Sequence, residues 1–537
     1  MKQIIILCII AIFTTNAFSQ EVLNSDSITN DFSYFIKQLE NTHPDPYSGF
    51  GGKVFFHIQA ENIKNKIKYG SYTQEKFSDE LSLFLSNLHD GHSFIETKDD
   101  KTANKTDKIL PVNYRIIPDG AILSELPAKY KELLGSKVEK INGIPMDSIL
   151  RQILIFNPCE NIYGSYSWLV QYARKYTFYA KLFPDLQNEI TFQVKTLNNE
   201  KKKLQISFVE KEKMKDVSIE KLPQTKMLSS KDYMLYQFLD AKKDVMLFKF
   251  SSVMARENFE YTIKKKYANA YNQLKYFYQF MLQKEMPADT AKAISDIPSF
   301  SETFYNMLQE MKAKKSKSLI IDLRENSGGW LPITLPSLYL LYGDRFLKTD
   351  MDNKSYTLIS PLFLNKINST LNELNQSDNC SYKLGDYTMP QDDKKNKNIE
   401  ILRQEFIENG MSSIKTKLTQ QDGTPLYCPE QVYVLTNTWT YSAAFQYAFY
   451  LWKMGAVVVG VPSMQAPNTF IASTPFQLPY TKINCSISNT MQVYLPANDS
   501  RAKIFYPDIM LSVYDYIKYN FDGNSEIMFL LNKIKQK

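Results

Sequence analysis

Residues 319–330 read Leu-Ile-Ile-Asp-Leu-Arg-Glu-Asn-Ser-Gly-Gly-Trp, a short apolar run that ends in a polar turn and two glycines. A continuous apolar run of this length is typical of a strand that is covered on both faces. Three similar runs follow the same pattern, at 245–250, 432–435 and 456–461, and a long helical stretch over about 254–312 separates two of the runs. The C-terminal half therefore predicts an α/β fold.

The chain upstream of these runs is organised differently. Apolar residues at helical spacing predict a small helical domain over residues 20–106. Alternating apolar residues, with a hairpin turn at Asn198-Asn199, predict a β-rich module over 107–215 that contains a helical insertion. The α/β domain then spans 216–537, with a polar insertion over about 345–425. The sequence thus predicts an α/β (α+β) multidomain protein.

The first residues have the features of an export signal. Lys2 precedes an apolar run from Ile4 to Phe13, and Ala17-Phe18-Ser19 supplies the small-residue cleavage pattern. We therefore expect residues 1–19 to be a signal peptide and the protein to be exported, into the periplasm or the extracellular space. No later stretch reaches about 18 uninterrupted apolar residues, so no stable membrane span is expected.

Composition excludes several classes of protein. With 537 residues, 44% of them hydrophobic, the chain is neither a single small domain nor a disordered polyampholyte. The net charge of +7 arises from 64 basic and 57 acidic side chains that are interspersed, which gives no argument for nucleic acid. The cysteines after Cys8 are Cys159, Cys380, Cys428 and Cys485, which are too few and too far apart for a disulfide scaffold or a zinc site. One disulfide between two of them and four free thiols are both compatible with the sequence.

Two segments of the α/β domain contain candidates for chemistry. Residues 432–444 predict a buried strand, a short loop and a helix, with Ser442 at the helix N-terminus. That position suits a nucleophile or an oxyanion, but serine is also a preferred helix cap without any chemistry. Gly328 and Gly329 let the backbone turn its amides toward a ligand, as an oxyanion hole requires.

A third segment, residues 88–93, reads Leu-His-Asp-Gly-His-Ser. The chain has four histidines and His92 is the last of them, so a Ser-His mechanism that uses Ser442 must reach back to the N-terminal domain. The fold can supply that proximity. A metal site is the alternative, but this cluster lacks the helical i, i+4 spacing of zinc peptidases.

Taken together and in this order, the three segments resemble the S41 peptidases, the family of C-terminal processing proteases, tricorn-core proteases and their exported relatives. The similar motifs are Asp90–Ser93, Asp322–Gly329 and Thr440–Ala444. The segment from His43 to Tyr47 is similar to the His-Pro segment of exported members. The module over 107–215, with its Ile-Asn-Gly-Ile turn, resembles their PDZ-like domain.

This resemblance implies a ClpP/crotonase-like catalytic domain in which Ser442 attacks a peptide carbonyl. The amide of Ala443 and one amide of the Gly328-Gly329 turn would bind the oxyanion. His92 matches the general base of the tricorn-like branch, and a neutral imidazole suits that role. The implied mechanism requires no metal and no organic cofactor, and its substrates are peptides or unfolded protein tails.

The sequence departs from the family after the Ser-Ala-Ala turn, where Phe445 replaces an acidic residue, and again near its C-terminal Pro-Asp pair. Tricorn-like members orient the histidine through a glutamate shortly before a C-terminal Pro-Asp pair, and here no glutamate precedes Pro507-Asp508. Asp499, Asp90 and Ser93 are the candidates to orient His92 instead.

Three functions follow from these observations. The first is an exported serine endopeptidase, and the second is a catalytically impaired pseudoenzyme that binds peptides on the same fold. The third is a crotonase-type acyl transferase or hydratase, which the signal peptide argues against.

Overall fold

The computed structural model describes residues 22–96, 108–228, 232–388, 397–410 and 414–536. The predicted signal peptide lies outside these residues, so it stays a prediction. Within the described ranges, none of the helices combines the length and the apolar character needed to cross a membrane.

The first module, residues 22–96, is helical as predicted. Asn24 starts its first helix by accepting the N–H of Ser27, and Thr73 starts its third by accepting that of Lys76. The apolar faces of the helices meet in an aromatic core that includes Phe32 and Phe84. The elements are α1 (Ser25–Thr42), α2 (Lys53–Tyr69), α3 (Gln74–Ser86) and β1 (Phe94–Ile95).

The second module, residues 108–221, is a sheet with helices packed on it. The hairpin predicted at Asn198-Asn199 forms between β7 and β8, with Lys195 opposite Lys201. Strand β10 also joins this sheet by pairing with β4, so the sheet includes residues beyond the predicted boundary at 215. The elements are β2 (Lys108–Ile109), β3 (Asn113–Ile117), β4 (Gly120–Pro127), β5 (Lys137–Ile141), β6 (Ile144–Pro145), α4 (Met146–Phe156), α5 (Ile162–Gln171), α6 (Tyr176–Leu182), β7 (Glu189–Lys195), β8 (Lys201–Ser207), β9 (Val209–Glu210) and β10 (Ile219–Lys221).

The third module, residues 232–536, is the α/β part of the chain. Its elements are β11 (Met234–Phe238), β12 (Val245–Phe250), α7 (Arg256–Lys264), α8 (Ala270–Phe277), α9 (Thr290–Ser295), α10 (Phe300–Lys314), β13 (Ser318–Asp322), α11 (Leu335–Tyr342), α12 (Asp344–Lys348), β14 (Lys354–Leu358), α13 (Pro361–Lys366), α14 (Leu371–Asp378), β15 (Tyr387–Thr388), α15 (Ile399–Glu408), α16 (Lys415–Thr419), β16 (Gln431–Thr436), α17 (Ala443–Lys453), β17 (Val457–Gly460), β18 (Asn468–Gln477), β19 (Asn484–Val493), α18 (Val513–Lys518) and α19 (Ser525–Lys535).

A five-stranded sheet in the order β11-β12-β13-β16-β17 forms the centre of the third module. The last four strands are parallel and correspond to the four apolar runs of the sequence, while β11 is antiparallel. Because β13 and β16 are parallel neighbours, their carboxyl ends meet at one edge of the sheet, where ligand sites of such folds form. The predicted α/β multidomain fold is confirmed.

A second sheet connects the first module to the third. Its order is β1-β19-β14-β15, and β18 also pairs with β19. Phe94 of β1 lies opposite Ser486 of β19. This pairing fixes the His92 segment, which immediately precedes β1, against the C-terminal hairpin.

A buried charge network joins the second and third modules. Arg324, just after β13, donates to Asp322 and to Glu526 of α19 at 2.9 Å each. Arg115 of β3 lies 3.2 Å from the same Glu526 carboxylate. The side chains of Asp322 and Glu526 are only 1% and 5% exposed, so their charges depend on the two arginines.

The cysteines for which the sequence leaves a disulfide open do not pair with one another. All four are free thiols: Cys159, Cys380, Cys428 and Cys485.

Candidate active site

Two loops meet at the carboxyl edge of the central sheet, one after β13 and one after β16. The N–H of Tyr441 donates to the carbonyl of Asn326 at 3.0 Å. The hydroxyl of Thr440, which is fully buried, donates to the carbonyl of Leu323 at 2.9 Å. These bonds hold the Ser442 loop against the glycine turn.

Ser442 immediately precedes helix α17 but does not cap it. Its backbone has φ 51° and ψ −126°, and its side chain makes no capping hydrogen bond. A non-glycine residue in such a conformation costs on the order of 1–3 kcal/mol and persists only where its surroundings hold it. Here the N–H of Ser442 donates to Oε1 of the buried Gln465. The hydroxyl is therefore left available for chemistry, unlike that of an ordinary capping serine.

The glycine turn lies directly against Ser442. A Cβ on Gly328 would lie 2.7 Å from Ser442 Cβ and 2.8 Å from the nitrogen of Ala443. Gly329 is exposed and forms an isolated parallel bridge with Val253. Only residues without a Cβ allow both approaches.

The amides of this turn are not equivalent. The N–H of Gly328 already donates to Asn326 Oδ1 at 3.0 Å. The N–H groups of Gly329 and Ala443 have no acceptor among the residues that the structure describes. Gly329 and Ala443 are therefore the better pair for an oxyanion hole. The roles of Gly328, Gly329 and Ala443 stay predictions.

His92 lies in the loop between α3 and β1, and its side chain is 9% exposed. Its ring stacks on that of Tyr441 with centroids 4.5 Å apart, and its Nδ1 lies 2.8 Å from the Tyr441 hydroxyl. Its Nε2 is buried and has no hydrogen-bond partner among the described residues. His92 thus contacts the residue that immediately precedes Ser442, without a hydrogen bond to Ser442 itself.

Asp90 and Ser93 support the backbone around His92 and do not contact its ring nitrogens. Asp90 Oδ1 accepts the N–H of His92 at 2.8 Å, and Asp90 Oδ2 accepts the hydroxyl of Ser93. His43 Nε2 lies 3.3 Å from the same carboxylate. Burial alone would raise the pKa of Asp90, but the hydrogen bond and charge of His43, with His92 and Ser93, lower it to about 2.

Asp499, the third candidate to orient His92, is engaged elsewhere. Its carboxylate pairs with Arg501 at 2.7 Å and accepts the N–H of that residue, which starts a short helical turn. No contact between Asp499 and His92 occurs within the described part of the chain. The orienting roles suggested for Asp499, Asp90 and Ser93 remain predictions without a contact to the ring.

The structure instead brings two other residues to the His92 ring. Glu160, between α4 and α5, is 3% exposed, and its Oε1 accepts the Tyr441 hydroxyl at 2.9 Å. The same oxygen lies 3.8 Å from His92 Nδ1. Burial raises the pKa of Tyr441 well above its ordinary value, and the charges of Glu160 and Asp90 raise it further. The Tyr441 hydroxyl therefore stays protonated.

These two residues were not found by sequence reasoning. Glu160 occurs in the helical insertion of the second module and belongs to no motif. Tyr441 lies within the motif around Ser442, but nothing in the sequence distinguishes it from a residue of the core.

Among the described residues, one group of side chains has the composition and spacing of a possible metal site. One ligand atom each of Asp90, His92 and Glu160 lie within 4.8 Å of one another. Both oxygens of Asp90 already accept hydrogen bonds, however, from the His92 N–H and the Ser93 hydroxyl. Hydrogen bonds within the protein thus explain the position of the Asp90 carboxylate without a metal ion.

Comparisons with known proteins find a family match within the third module. The sequence profile of peptidase family S41 matches residues 293–492, a segment that includes the glycine turn and Ser442. No curated protein matches the chain in sequence.

The CPAF structures show the same fold over most of the chain. Mature CPAF complexed with lactacystin is 14% identical, with a TM-score of 0.53, and the match covers 95% of this chain and 99% of that one. Mature CPAF alone is 13% identical with the same TM-score, covering 95% and 98%. The photosystem II D1 C-terminal processing protease is 10% identical, with a TM-score of 0.37, covering 91% and 94%. Residues 293–492 of the chain thus match the model of peptidase family S41, and the CPAF structures show the same fold.

Proposed function

We propose that the protein is an exported serine endopeptidase in which Ser442 is the nucleophile and His92 the general base. The observation that carries the proposal is the backbone of Ser442, held in a strained conformation at the start of α17 with an uncommitted hydroxyl. A strained turn from strand to helix exposes a nucleophilic serine in other hydrolases. The match of residues 293–492 to a peptidase family supports peptides or proteins as substrates.

The proposed reaction is acyl transfer to Ser442 followed by hydrolysis of the acyl-enzyme. The Ser442 oxygen attacks the scissile carbonyl carbon while His92 Nε2 takes the hydroxyl proton. The N–H groups of Gly329 and Ala443 stabilise the oxyanion. The C–N bond then breaks, and the leaving amine takes the proton from His92. Water, deprotonated by His92, releases the acyl group as a carboxylic acid and restores Ser442.

The second module is proposed to recruit an extended segment of the substrate, as its predicted PDZ-like character implies. Strand β8 lies at one edge of its sheet, where a peptide can add by backbone hydrogen bonding. Export rests on the signal sequence over residues 1–19 and is part of the same proposal.

One observation favours the second candidate function, a peptide-binding pseudoenzyme. No hydrogen bond joins Ser442 to His92 within the described residues. Catalytic hydrogen bonds commonly tighten only when substrate binds, so this geometry is compatible with activity. Hydrolysis therefore has to be measured.

The test is hydrolysis of casein by the purified protein across pH 5 to 9, beside the Ser442→Ala and His92→Ala variants. Each variant is expected to lose roughly 10⁴-fold or more in kcat, as loss of a nucleophile or its base does elsewhere. Wild-type activity should fall at acidic pH, where an imidazole becomes protonated.

The matched control is Ser512→Ala, because Ser512 does cap its helix by accepting the N–H of Asp515. This variant is expected to lose about 1 kcal/mol of stability and to keep its activity. Ser442→Ala should show the reverse, with unchanged stability and no activity. Equal activity in wild type and Ser442→Ala, or inactivity of the folded wild-type protein, would refute the proposed function.

A further inference from the structure

Three polar atoms form a line behind the His92 ring. His92 Nδ1 lies 2.8 Å from the Tyr441 hydroxyl oxygen, and this oxygen lies 2.9 Å from Glu160 Oε1. The side chains of His92 and Glu160 are 9% and 3% exposed, so bulk water does not compete for these bonds. The line begins in the first module, passes through the third and ends in the second.

The direction of the bonds follows from the groups themselves. An ionised carboxylate only accepts, so the Tyr441 hydroxyl donates its hydrogen to Glu160. The Tyr441 oxygen is then an acceptor toward His92, and Nδ1 must carry the hydrogen of the neutral imidazole. This leaves the lone pair on Nε2, the buried nitrogen without a partner among the described residues. A histidine that takes a proton from a serine needs this tautomer.

Charge supports the same assignment. Among the described residues, Glu160 has one ion pair, with His92 at 3.8 Å. Glu160 Oε1 also accepts the hydroxyl of Thr469 at 3.1 Å, while Oε2 is buried without a hydrogen-bond partner in the described residues. A buried carboxylate without a cation is costly, and that cost falls when a positive charge forms beside it. The imidazolium that arises during proton transfer is such a charge.

We propose that Tyr441 and Glu160 are the positioning residues of His92, with the Tyr441 hydroxyl fixing the Nδ1–H tautomer and Glu160 stabilising the imidazolium. The carboxylate comes from the second module and acts through a tyrosine. It thereby supplies the third member that the segment before Pro507-Asp508 lacks. This inference rests on the proposed function.

The first test compares Tyr441→Phe with Tyr447→Phe. Tyr441 is half-buried and Tyr447 is buried. Tyr447 also makes a hydroxyl hydrogen bond, at 2.7 Å to Ser337, but that bond lies away from His92. Phenylalanine at 441 retains the stacked ring and removes only the hydroxyl. Tyr441→Phe is expected to lower kcat roughly 10²-fold or more with little change in KM, as loss of a histidine orienter does elsewhere. Tyr447→Phe should keep a kcat close to that of wild type.

The second test is Glu160→Gln, which keeps an acceptor for Tyr441 and removes the charge. The kcat should fall, and the acidic limb of the pH–rate profile should move to lower pH because the imidazolium loses its stabilising carboxylate. Asp90 and, beyond it, His43 also face His92 and are unchanged in this variant, as is Tyr441. A profile that stays in place would contradict the role of Glu160.

A readout independent of activity is nitrogen NMR of the protein labelled at its four histidines, with His92 assigned from the His92→Gln variant. Wild type should show the Nδ1–H tautomer at His92, and Tyr441→Phe should lose it. This measurement distinguishes the inference from the proposed function, because the tautomer of His92 can be observed even if Ser442 is not a nucleophile. The Nε2–H tautomer in wild type, equal kcat in the two tyrosine variants, or a Tyr441→Phe variant faster than wild type would overturn the inference.

Discussion

Gly328→Ala is expected to abolish peptide hydrolysis while the protein still folds. The new Cβ would lie 2.6 Å from the Tyr441 carbonyl oxygen and 2.7 Å from Ser442 Cβ, distances at which one side must move. The atoms displaced are those of Ser442, the proposed nucleophile, and of the Ala443 amide. A shift of about 1 Å in such groups costs roughly 10²-fold in rate, and here two groups shift together. Loss of kcat/KM on a casein-derived peptide checks this result.

The control for Gly328→Ala is Gly143→Ala. Gly328 has φ +98° and Gly143 has φ +80°, so both substitutions force alanine into the left-handed region. That conformation alone costs roughly 1 kcal/mol or more. A Cβ at 143 meets no atom within 4 Å, so this variant lacks the collision. Urea denaturation should show the shared cost, and only Gly328→Ala should lose activity. Similar activity in the two variants would exclude the glycine turn from catalysis.

Arg324→Met is expected to have the largest effect on stability. It removes the cation that joins Asp322 to Glu526 and leaves two buried carboxylates short of a partner. Breaking a buried ion pair in this way typically costs about 3–5 kcal/mol. Chemical denaturation at pH 7 measures the loss.

The pH dependence of this loss has a defined sign. Burial alone would raise the pKa of Asp322 and of Glu526. Arg324, with Lys249, lowers the pKa of Asp322, and Arg115 together with Arg324 lowers that of Glu526. A carboxylate whose pKa is lower in the folded state stabilises the protein at pH values above its unfolded-state pKa of about 4. This contribution is lost as the pH falls through the folded-state pKa. The cost of Arg324→Met should therefore be greatest at neutral pH and shrink below about pH 4.

A matched control is Arg501→Met. Arg501 pairs with Asp499, two residues before it, just as Arg324 pairs with Asp322. The Arg501 side chain is 40% exposed, against 11% for Arg324. Arg501 lowers the pKa of Asp499 to about 2, but solvent screens this exposed pair, so the variant should lose much less stability and depend less on pH. Equal losses in the two arginine variants would show that the buried network contributes little.

The central sheet could be predicted because its strands are buried on both faces. The runs that form β12, β13, β16 and β17 are continuous, apolar and short, which is typical of strands covered on both faces. Local capping was harder to predict. Ser71 and Thr73 both precede α3, and Thr73 is the residue that caps this helix, by accepting the N–H of Lys76. Threonine and serine are nearly interchangeable in this role, so the sequence did not distinguish them.

The candidate site was predictable only where its residues lie in motifs. Ser442, His92 and the glycine turn occur in recognisable segments, and the structure brings the three segments to one region. Glu160 could not be found in this way, because its proximity to His92 is created by the packing of the second module. The commitment of the Gly328 amide to Asn326 is also a product of loop geometry.

The joining of β1 to β19 has a consequence for biosynthesis. The ribosome completes His92 early, Glu160 next and Ser442 much later, and the strand that fixes the His92 segment is made last of these. A nascent chain therefore contains the His92 imidazole before Ser442 has been synthesised. If Ser442 and His92 act as proposed, hydrolytic activity arises only when the whole chain has been synthesised and docked. An incompletely folded chain would then be unable to cleave other proteins.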